Sequence, residues 1–216
     1  MNIVTLDNFD HKRLIISANV VKANWESSRY FAFIRYEYEN INYNKGSLKF
    51  ITPVLDVNGM VLTKSRTGAT ILQIPINNEI CQFFSSVERI IKNRLDSCSI
   101  DIASELNTHE QNDKQNIFLN KNFVLSSNIR YDNSSVANLQ IEIQKYYMTE
   151  NISAQVRHNN IDEEITSIEK LIELFTNSAK LRFVLDMQTI YINREPNEHF
   201  EHECSYKITC KAIQLF

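Results

Sequence analysis

The chain has 216 residues, of which 43% are hydrophobic and 10% aromatic, and its formal net charge at pH 7 is -3. This length and apolar content are sufficient for a single domain with a sizeable core. The slightly acidic balance excludes a histone-like, strongly cationic nucleic-acid binder. Any electrostatic binding site therefore has to be a local basic patch.

No segment of the sequence predicts export or a membrane span. Residues 1–16 lack a basic stretch followed by an apolar stretch, and no run of 18 apolar residues occurs. The cysteines are too few for a disulfide scaffold in a chain of this length, so reduced thiols are the simpler prediction. We expect a soluble, intracellular protein.

The N-terminal half predicts several strands followed by a helix. β-Branched and aromatic residues predict strands at residues 29–38, 47–55, 60–62 and 71–76. Apolar side chains then recur every three or four positions over 79–95, which predicts an amphipathic helix with Asn78 as its N-cap. We expect a shorter helical segment at 99–106 and a polar loop at 107–116.

The C-terminal half returns to extended segments. We expect strands within residues 118–131, 137–147, 152–156, 180–192 and 204–216. Residues 167–175 have apolar side chains at helical spacing, and Thr166 or Ser167 is the expected cap.

Together these elements predict a mainly β (α+β) protein. We expect an antiparallel, barrel-like sheet with a helical insertion at 79–106 and a second short helix. No stretch rich in Pro, Gly or Ser divides the chain, so the sequence predicts one domain over 1–216, with 1–28 as an N-terminal extension.

Two C-terminal strands combine apolar residues with polar ones. Alternation assigns one face of each strand to the core and the other to solvent or a ligand. In the first strand the predicted core residues are Leu181, Phe183, Leu185, Met187 and Tyr191, opposite Arg182, Val184, Asp186, Gln188, Ile190 and Ile192. In the second strand they are Cys204, Tyr206, Ile208, Cys210 and Ala212, opposite Ser205, Lys207, Thr209 and Lys211.

One cluster of residue types is compatible with zinc. His199, His202, Cys204 and Cys210 form an H-x2-H-x-C-x5-C array. Its spacing matches no structural zinc pattern well, and an exposed loop followed by two core thiols explains the same residues. No phosphate-binding loop and no serine, cysteine or metalloprotease signature occurs. We expect no metal, no cofactor and no enzymatic activity.

Lysine and arginine concentrate in two regions of the chain. Lys45, Lys49, Lys64 and Arg66 lie within residues 45–70, and Arg182, Lys207 and Lys211 lie on the polar faces of the two C-terminal strands. Aromatic residues are interleaved with both groups. Such surfaces bind single-stranded nucleic acid, because cations neutralise phosphates while flat rings stack on bases of any sequence. The alternative is that the lysines are solvated and the aromatic residues form core.

The order of segments over residues 48–215 is similar to that of a known family. A "TP" strand precedes a strand and a helix, an Arg-Tyr pair precedes an "L-x-I-x-I" strand, and a short helix leads into a strand ending in "I-Y". The positions concerned are Thr52-Pro53, Arg130-Tyr131, Leu139–Ile143, Ile190-Tyr191, Tyr206-Lys207 and Gln214. This order resembles the single-stranded DNA-binding proteins of nucleocytoplasmic large DNA viruses.

The resemblance implies an elaborated OB-fold that binds single-stranded DNA, or RNA, without sequence preference. It implies protection of exposed strands during viral DNA replication and recombination in the host cytoplasm or nucleus, with replication proteins and further copies of the chain as partners. The basic pattern and the resemblance together predict the binding residues, which are Lys45, Lys49, Lys64, Arg66, Arg130, Arg182, Lys207 and Lys211 for phosphate, and Tyr131, Tyr191 and Tyr206 for stacking. A non-enzymatic viral structural or assembly protein that binds other proteins is the alternative.

Overall fold

The computed structural model describes residues 3–17, 21–22, 29–38, 45–65, 68–97, 123–146, 149, 151–193, 195–199 and 201–216. Within these ranges the protein is mainly β, which confirms the sequence prediction at this level. Neither α-helix described below is long and apolar enough to cross a bilayer. The predicted helical segment at 99–106 and loop at 107–116 lie outside the described residues.

Within the described ranges, eight strands precede the first α-helix. They are β1 (Leu14–Ile16), β2 (Val21–Lys22), β3 (Arg29–Glu37), β4 (Lys45–Gly46), β5 (Leu48–Ile51), β6 (Leu55–Asp56), β7 (Val61–Lys64) and β8 (Thr70–Pro75), with a 3-10 turn at His11–Arg13. The remaining elements are α1 (Asn78–Ser97), β9 (Phe123–Ser126), β10 (Ile129–Tyr131), β11 (Ala137–Ile143), β12 (Gln155–His158), β13 (Ile161–Glu163), α2 (Ile168–Thr176), β14 (Lys180–Asn193) and β15 (His202–Leu215).

The two longest strands, β14 and β15, form the antiparallel centre of one sheet, whose main order is β1-β3-β14-β15-β11-β8-β7. The far edge of β15 pairs in parallel with β9, β11 and β12. The sheet is therefore mixed, and the prediction of an antiparallel sheet is wrong for these pairs. Parallel pairing depends on long crossover connections, which alternation within a strand does not reveal. The described strands do not close, so an OB-like barrel is not confirmed.

Helix α1 covers much of the core face of the sheet. It buries Ile80, Phe83, Phe84, Val87, Ile91 and Leu95, and the Phe83 ring stacks on Phe50 of β5 with 4.3 Å between centroids. The predicted helix is thus confirmed, but its cap is displaced by one residue. The Oδ1 atom of Asn77, not Asn78, accepts a hydrogen bond from the Ile80 N–H at 2.9 Å.

Helix α2 begins as the sequence predicts. The Ser167 hydroxyl accepts a hydrogen bond from the Lys170 N–H, which confirms Ser167 as the cap. The preceding hairpin of β12 and β13 turns at Asn159 and Asn160, whose φ angles are 49° and 65°. Asparagine tolerates this left-handed region better than most residues, so the pair fits the tight turn.

Two bulges interrupt the alternation of β14 and β15. One extra residue of β15, Lys211, lies between two otherwise consecutive pairs, and β14 has an extra residue between Met187 and Ile190. Each bulge transfers the following residues to the opposite face. Consequently Ile190 and Ile192 are buried, whereas Tyr191 is only half-buried on the other face.

The bulge of β15 has the same consequence at its C-terminal end. Ile213 and Leu215 are buried there, and Ala212, predicted to be core, faces outward. The predicted faces of the two strands are therefore right before each bulge and wrong after it.

Candidate nucleic-acid interface

The sheet has a second face, opposite the one that packs on α1, which we call the outer face. Its residues follow from the register of the strands: Asp186 of β14 lies opposite Lys49 of β5 and Thr209 of β15, and Tyr191 lies opposite Phe31 and Ser205. The register of the strands alone defines the outer face. It has an aromatic end, a polar centre and a pocket, in that order along β14.

The aromatic end is built from Phe31, Tyr191 and Lys207. The rings of Phe31 and Tyr191 meet edge to face with 5.3 Å between centroids. The Lys207 Nζ lies 5.5 Å from the Tyr191 centroid, within the range of a cation-π interaction. A half-buried ring with an ammonium group over it combines stacking surface and positive charge, the two properties that single-stranded nucleic acid requires.

The polar centre contains a buried carboxylate. Asp186 is only 1% exposed, its Oδ2 accepts a hydrogen bond from Gln188 Nε2 at 2.6 Å, and its Oδ1 has no partner among the described residues. The Lys211 Nζ lies 3.9 Å from Oδ2. A second carboxylate, Glu142, lies 3.0 Å from the Lys207 Nζ. Two of the cations on this face therefore have acidic neighbours, which reduces the positive potential that a phosphate would meet.

The pocket lies at the opposite end of the outer face from Tyr191. It is a cavity of about 190 Å³ lined by Ile51, Gln155, Arg157, Arg182, Val184, Ala212, Ile213 and Gln214. Two guanidinium groups and two side-chain amides thus surround a largely aliphatic surface. Such a lining can bind an anion and a flat polar group side by side.

No protein-family model and no curated protein matches the chain. The resemblance to viral single-stranded DNA-binding proteins therefore stays a prediction from the quoted motifs.

The structure places five of the eleven predicted binding residues along the outer face: Lys49, Arg182, Tyr191, Lys207 and Lys211. Arg130 of β10 is exposed, and its pairing with Asn138 at the start of β11 places it on the same face. These six predicted residues therefore share one face of the sheet.

Other predicted residues lie elsewhere. Lys64 is exposed at the end of β7, the last strand in the sheet order. Tyr131 is 66% exposed, but its hydroxyl lies 3.6 Å from the Cys81 Sγ of α1, on the helix side of the sheet. The backbone of Lys45 pairs with Glu37, but its side chain lies outside the described part of the chain. Arg66 lies entirely outside the described residues.

Tyr206 is a core residue. It is 2% exposed, and its hydroxyl donates a hydrogen bond to the Glu88 carboxylate of α1 at 2.7 Å. Burial and the nearby Glu88 charge raise its pKa well above the usual range. The stacking role that the resemblance implied for Tyr206 is incompatible with this burial, because neither ring face is accessible to a base. Alternation, which placed Tyr206 in the core, is right here.

The residues of the candidate zinc array do not form a common site. His199 is exposed next to Glu198, whereas His202 is buried with its Nδ1 3.1 Å from the Asn193 carbonyl oxygen. Burial raises the pKa of the Cys204 and Cys210 thiols to about 12, which disfavours the thiolate that zinc requires. Within the described ranges no three His, Cys, Asp or Glu side chains are placed to hold a metal ion.

Sequence reasoning missed three residues of the outer face, Glu142, Gln155 and Arg157, and it included Phe31 only among the aromatic residues interleaved with the basic ones. The pattern Gln-Val-Arg at 155–157, with a buried Val156 between two exposed polar residues, was a signal for Gln155 and Arg157. Their position next to β15 depends on parallel pairing across a long separation, which the sequence does not encode locally.

Proposed function

We propose that the protein binds single-stranded DNA without sequence preference along the outer face, and that it protects exposed strands during viral DNA replication and recombination. The observation that carries this proposal is the half-buried Tyr191 ring with Lys207 above it, in line with the further cations of the outer face. Stacking on one ring is sequence-tolerant, since every base has a flat face.

The length of the outer face suits a short stretch of single strand. From Arg182 to Tyr191 the strand β14 spans about 30 Å, at roughly 3.3 Å per residue. A strand of several nucleotides can follow this path, which corresponds to the lower part of the range of about 4–16 nucleotides for one OB-fold. An OB-like arrangement remains part of the proposal, supported by the resemblance and by the bulges that bend β14 and β15.

The charges on this face suit weak, salt-sensitive binding. Among the described residues, Lys49 and Arg182 have no carboxylate oxygen within 4.0 Å, whereas Lys207 and Lys211 each have one. Few phosphates are then neutralised per protein. Each neutralised phosphate contributes about 0.7 to the salt slope of single-strand binding, so we expect a slope of roughly 2–3.

Titration of labelled oligonucleotides tests the proposal. Fluorescence anisotropy should show that a single strand of about 16 nucleotides binds more tightly than a duplex, and that binding weakens between about 50 and 200 mM salt. Competition with RNA of the same sequence compares the two nucleic acids. Replacing Tyr191→Ala should cost about 1–3 kcal/mol of binding free energy, whereas Tyr131→Ala, at an exposed tyrosine off the outer face, should have no effect.

Two results would overturn this function. One is an absence of any anisotropy change at the lower salt concentration. The other is an equal loss of affinity in the Tyr191 and Tyr131 variants, because binding would then not depend on the outer face.

Self-assembly is a second candidate function, favoured by the edge of the sheet. Strand β7 ends the strand order, and Val61 on it is 50% exposed. Beside it lies a cavity of about 510 Å³ whose lining includes the apolar side chains of Met60, Leu62, Ile172 and Phe175. An exposed edge strand next to apolar surface is a template for strand addition by a protein partner.

Sedimentation velocity at increasing protein concentration tests this second function. An assembly protein should self-associate without DNA, and Val61→Glu should abolish the association while Val54→Glu, at another exposed valine, leaves it intact. A monomer at all concentrations would exclude self-assembly through this edge.

A further inference from the structure

The pocket of the outer face is formed by two adjacent rows of residues that cross neighbouring strands. In the first row Ile51 lies opposite Val184, Val184 opposite Ala212, and Ala212 opposite Gln155. This row provides an aliphatic floor with an amide at its end.

In the second row Arg182 lies opposite Gln214, and Gln214 lies opposite Arg157. This row provides two guanidinium groups with an amide between them. Gln155 and Arg157 are exposed, so the cavity opens to solvent on the β12 side.

Arg182 has an unmet hydrogen-bonding requirement in this pocket. Its Nε is buried and has no acceptor among the described residues, and no described carboxylate forms an ion pair with it. A buried donor without a partner destabilises the protein, particularly when it carries charge. A bound acceptor would remove this penalty.

The other arginine is already compensated. Arg157 donates from its Nε to Asp162 Oδ1 at 2.8 Å, and this contact lowers the pKa of the Asp162 carboxyl. The net positive charge of the pocket therefore comes from Arg182. Its guanidinium has the planar donor geometry that binds phosphate oxygens in pairs.

We infer that this pocket is a nucleotide subsite: Arg182 binds one phosphate of a single strand, and the adjoining base lies against Val184 and Ala212. The amides of Gln155 and Gln214 each offer a donor and an acceptor, which match the edge of a base. The volume of about 190 Å³ leaves room for a small ring, and the pocket opens to solvent so that the rest of a strand can leave it. This inference rests on the proposed function.

The position of the subsite fits a strand that also reaches Tyr191. Both lie on the outer face, and the polar centre with Lys49 and Lys211 lies between them. A single strand would then be held at each end by a base contact and along the middle by phosphate contacts.

Nuclear magnetic resonance of the arginine Nε–H groups tests the subsite directly in the full chain. The Arg182 signal is assigned by its loss in Arg182→Gln. Thymidine 5′-monophosphate at millimolar concentration should shift this signal, and inorganic phosphate at the same concentration should shift it less. No shift with the nucleotide, or an equal shift with phosphate alone, would overturn the inference that the pocket takes a base together with its phosphate.

Oligonucleotide titration separates this inference from the proposed function. Arg182→Gln should weaken binding at least about tenfold, because a charge-assisted hydrogen bond is lost, and Ala212→Leu should weaken it by filling the pocket. Arg89→Gln, an exposed arginine of α1, is the matched control and should leave affinity unchanged. If the wild type binds the oligonucleotide and both pocket variants bind it with the same affinity, the subsite is wrong but the proposed function stands. Absence of binding in the wild type overturns the proposed function, and a missing nucleotide shift at Arg182 then overturns the subsite as well.

Discussion

Replacing Glu142→Gln should increase the affinity for single-stranded DNA. The Glu142 carboxylate lies 3.0 Å from the Lys207 Nζ, and its side chain is 15% exposed compared with 48% for Lys207. A phosphate that contacts Lys207 must approach this carboxylate. The amide of glutamine retains an oxygen acceptor for the ammonium group but removes the negative charge.

The size of the effect follows from the geometry. A phosphate in contact with Lys207 would lie about 6 Å from Glu142, where the repulsion of two unit charges is about 0.7 kcal/mol in water and about 3 kcal/mol at an effective dielectric constant of 20. Because Lys207 is half exposed, the value should fall near the lower limit. We expect affinity to rise between about threefold and tenfold at low salt, and the salt slope to rise by at most about 0.7, because the Glu142 charge no longer competes with phosphate for Lys207.

The assay is anisotropy with a labelled single strand at several salt concentrations. Lys207→Gln should change affinity and slope in the opposite direction, and Glu79→Gln, at an exposed carboxylate of α1, should change neither. Circular dichroism confirms that each variant is folded. If Glu142→Gln binds no more tightly than the wild type, Lys207 does not contact phosphate and the outer face is not the interface.

Three predictions concern stability. Tyr206→Phe removes the donor to the half-buried Glu88 carboxylate and should lower the free energy of unfolding by about 1.5–3 kcal/mol in urea denaturation. Thr52→Val removes the acceptor of a buried backbone N–H and should cost about 1–3 kcal/mol. The buried thiols of Cys204 and Cys210 have pKa values of about 12 against an ordinary value of 9.0. The contribution of the thiols to the free energy of unfolding should therefore be fully present below pH 9. It should be lost as pH rises from about 9 to 12, by up to about 1.4 kcal/mol per pH unit for each thiol.

Each stability prediction has its own control. Tyr131→Phe changes an exposed tyrosine and should alter stability by less than about 0.5 kcal/mol. Thr63→Val, at an exposed threonine, serves the same purpose for Thr52. For the thiols, Cys210→Ala should reduce the slope with which the free energy of unfolding falls above pH 9. If the slope is unchanged in that variant, other groups cause the alkaline unfolding. Tyr206→Phe or Thr52→Val at wild-type stability would contradict the corresponding hydrogen bond.

The sequence was informative wherever structure depends on neighbouring residues. The helical period of α1, the Ser167 cap and the asparagine turn at 159–160 were all readable because propensity and capping act over a few positions. The Thr52-Pro53 pair is part of the resemblance to the viral family, and its threonine also has a structural role. Thr52 accepts the Phe183 N–H at 3.0 Å and donates its own N–H to the Phe183 carbonyl.

The candidate site was harder to predict because it depends on register between distant strands. Alternation alone places Tyr191 on the core face, although the resemblance implies a stacking role for it, since the bulge after Met187 has no signature in the sequence. The pocket combines residues of β5, β12, β14 and β15, and the parallel pairing of β12 with β15 joins segments separated by more than fifty residues. Composition predicted Lys64 as a binding residue but does not specify its place in the sheet, which is β7, the last strand of the order.

Every strand that pairs with β15 precedes it in the chain, so this last strand completes four separate pairings. During synthesis on the ribosome, the pairings of β9, β11, β12 and β14 with β15 cannot form until residues of β15 have emerged, although β11, β12 and β14 also pair with other strands. Such late closure of distant contacts slows folding and leaves strand edges open to aggregation. Nascent chains stalled before residue 202 should therefore be degraded by protease, whereas the 216-residue chain, stalled behind a long fused linker, should resist it.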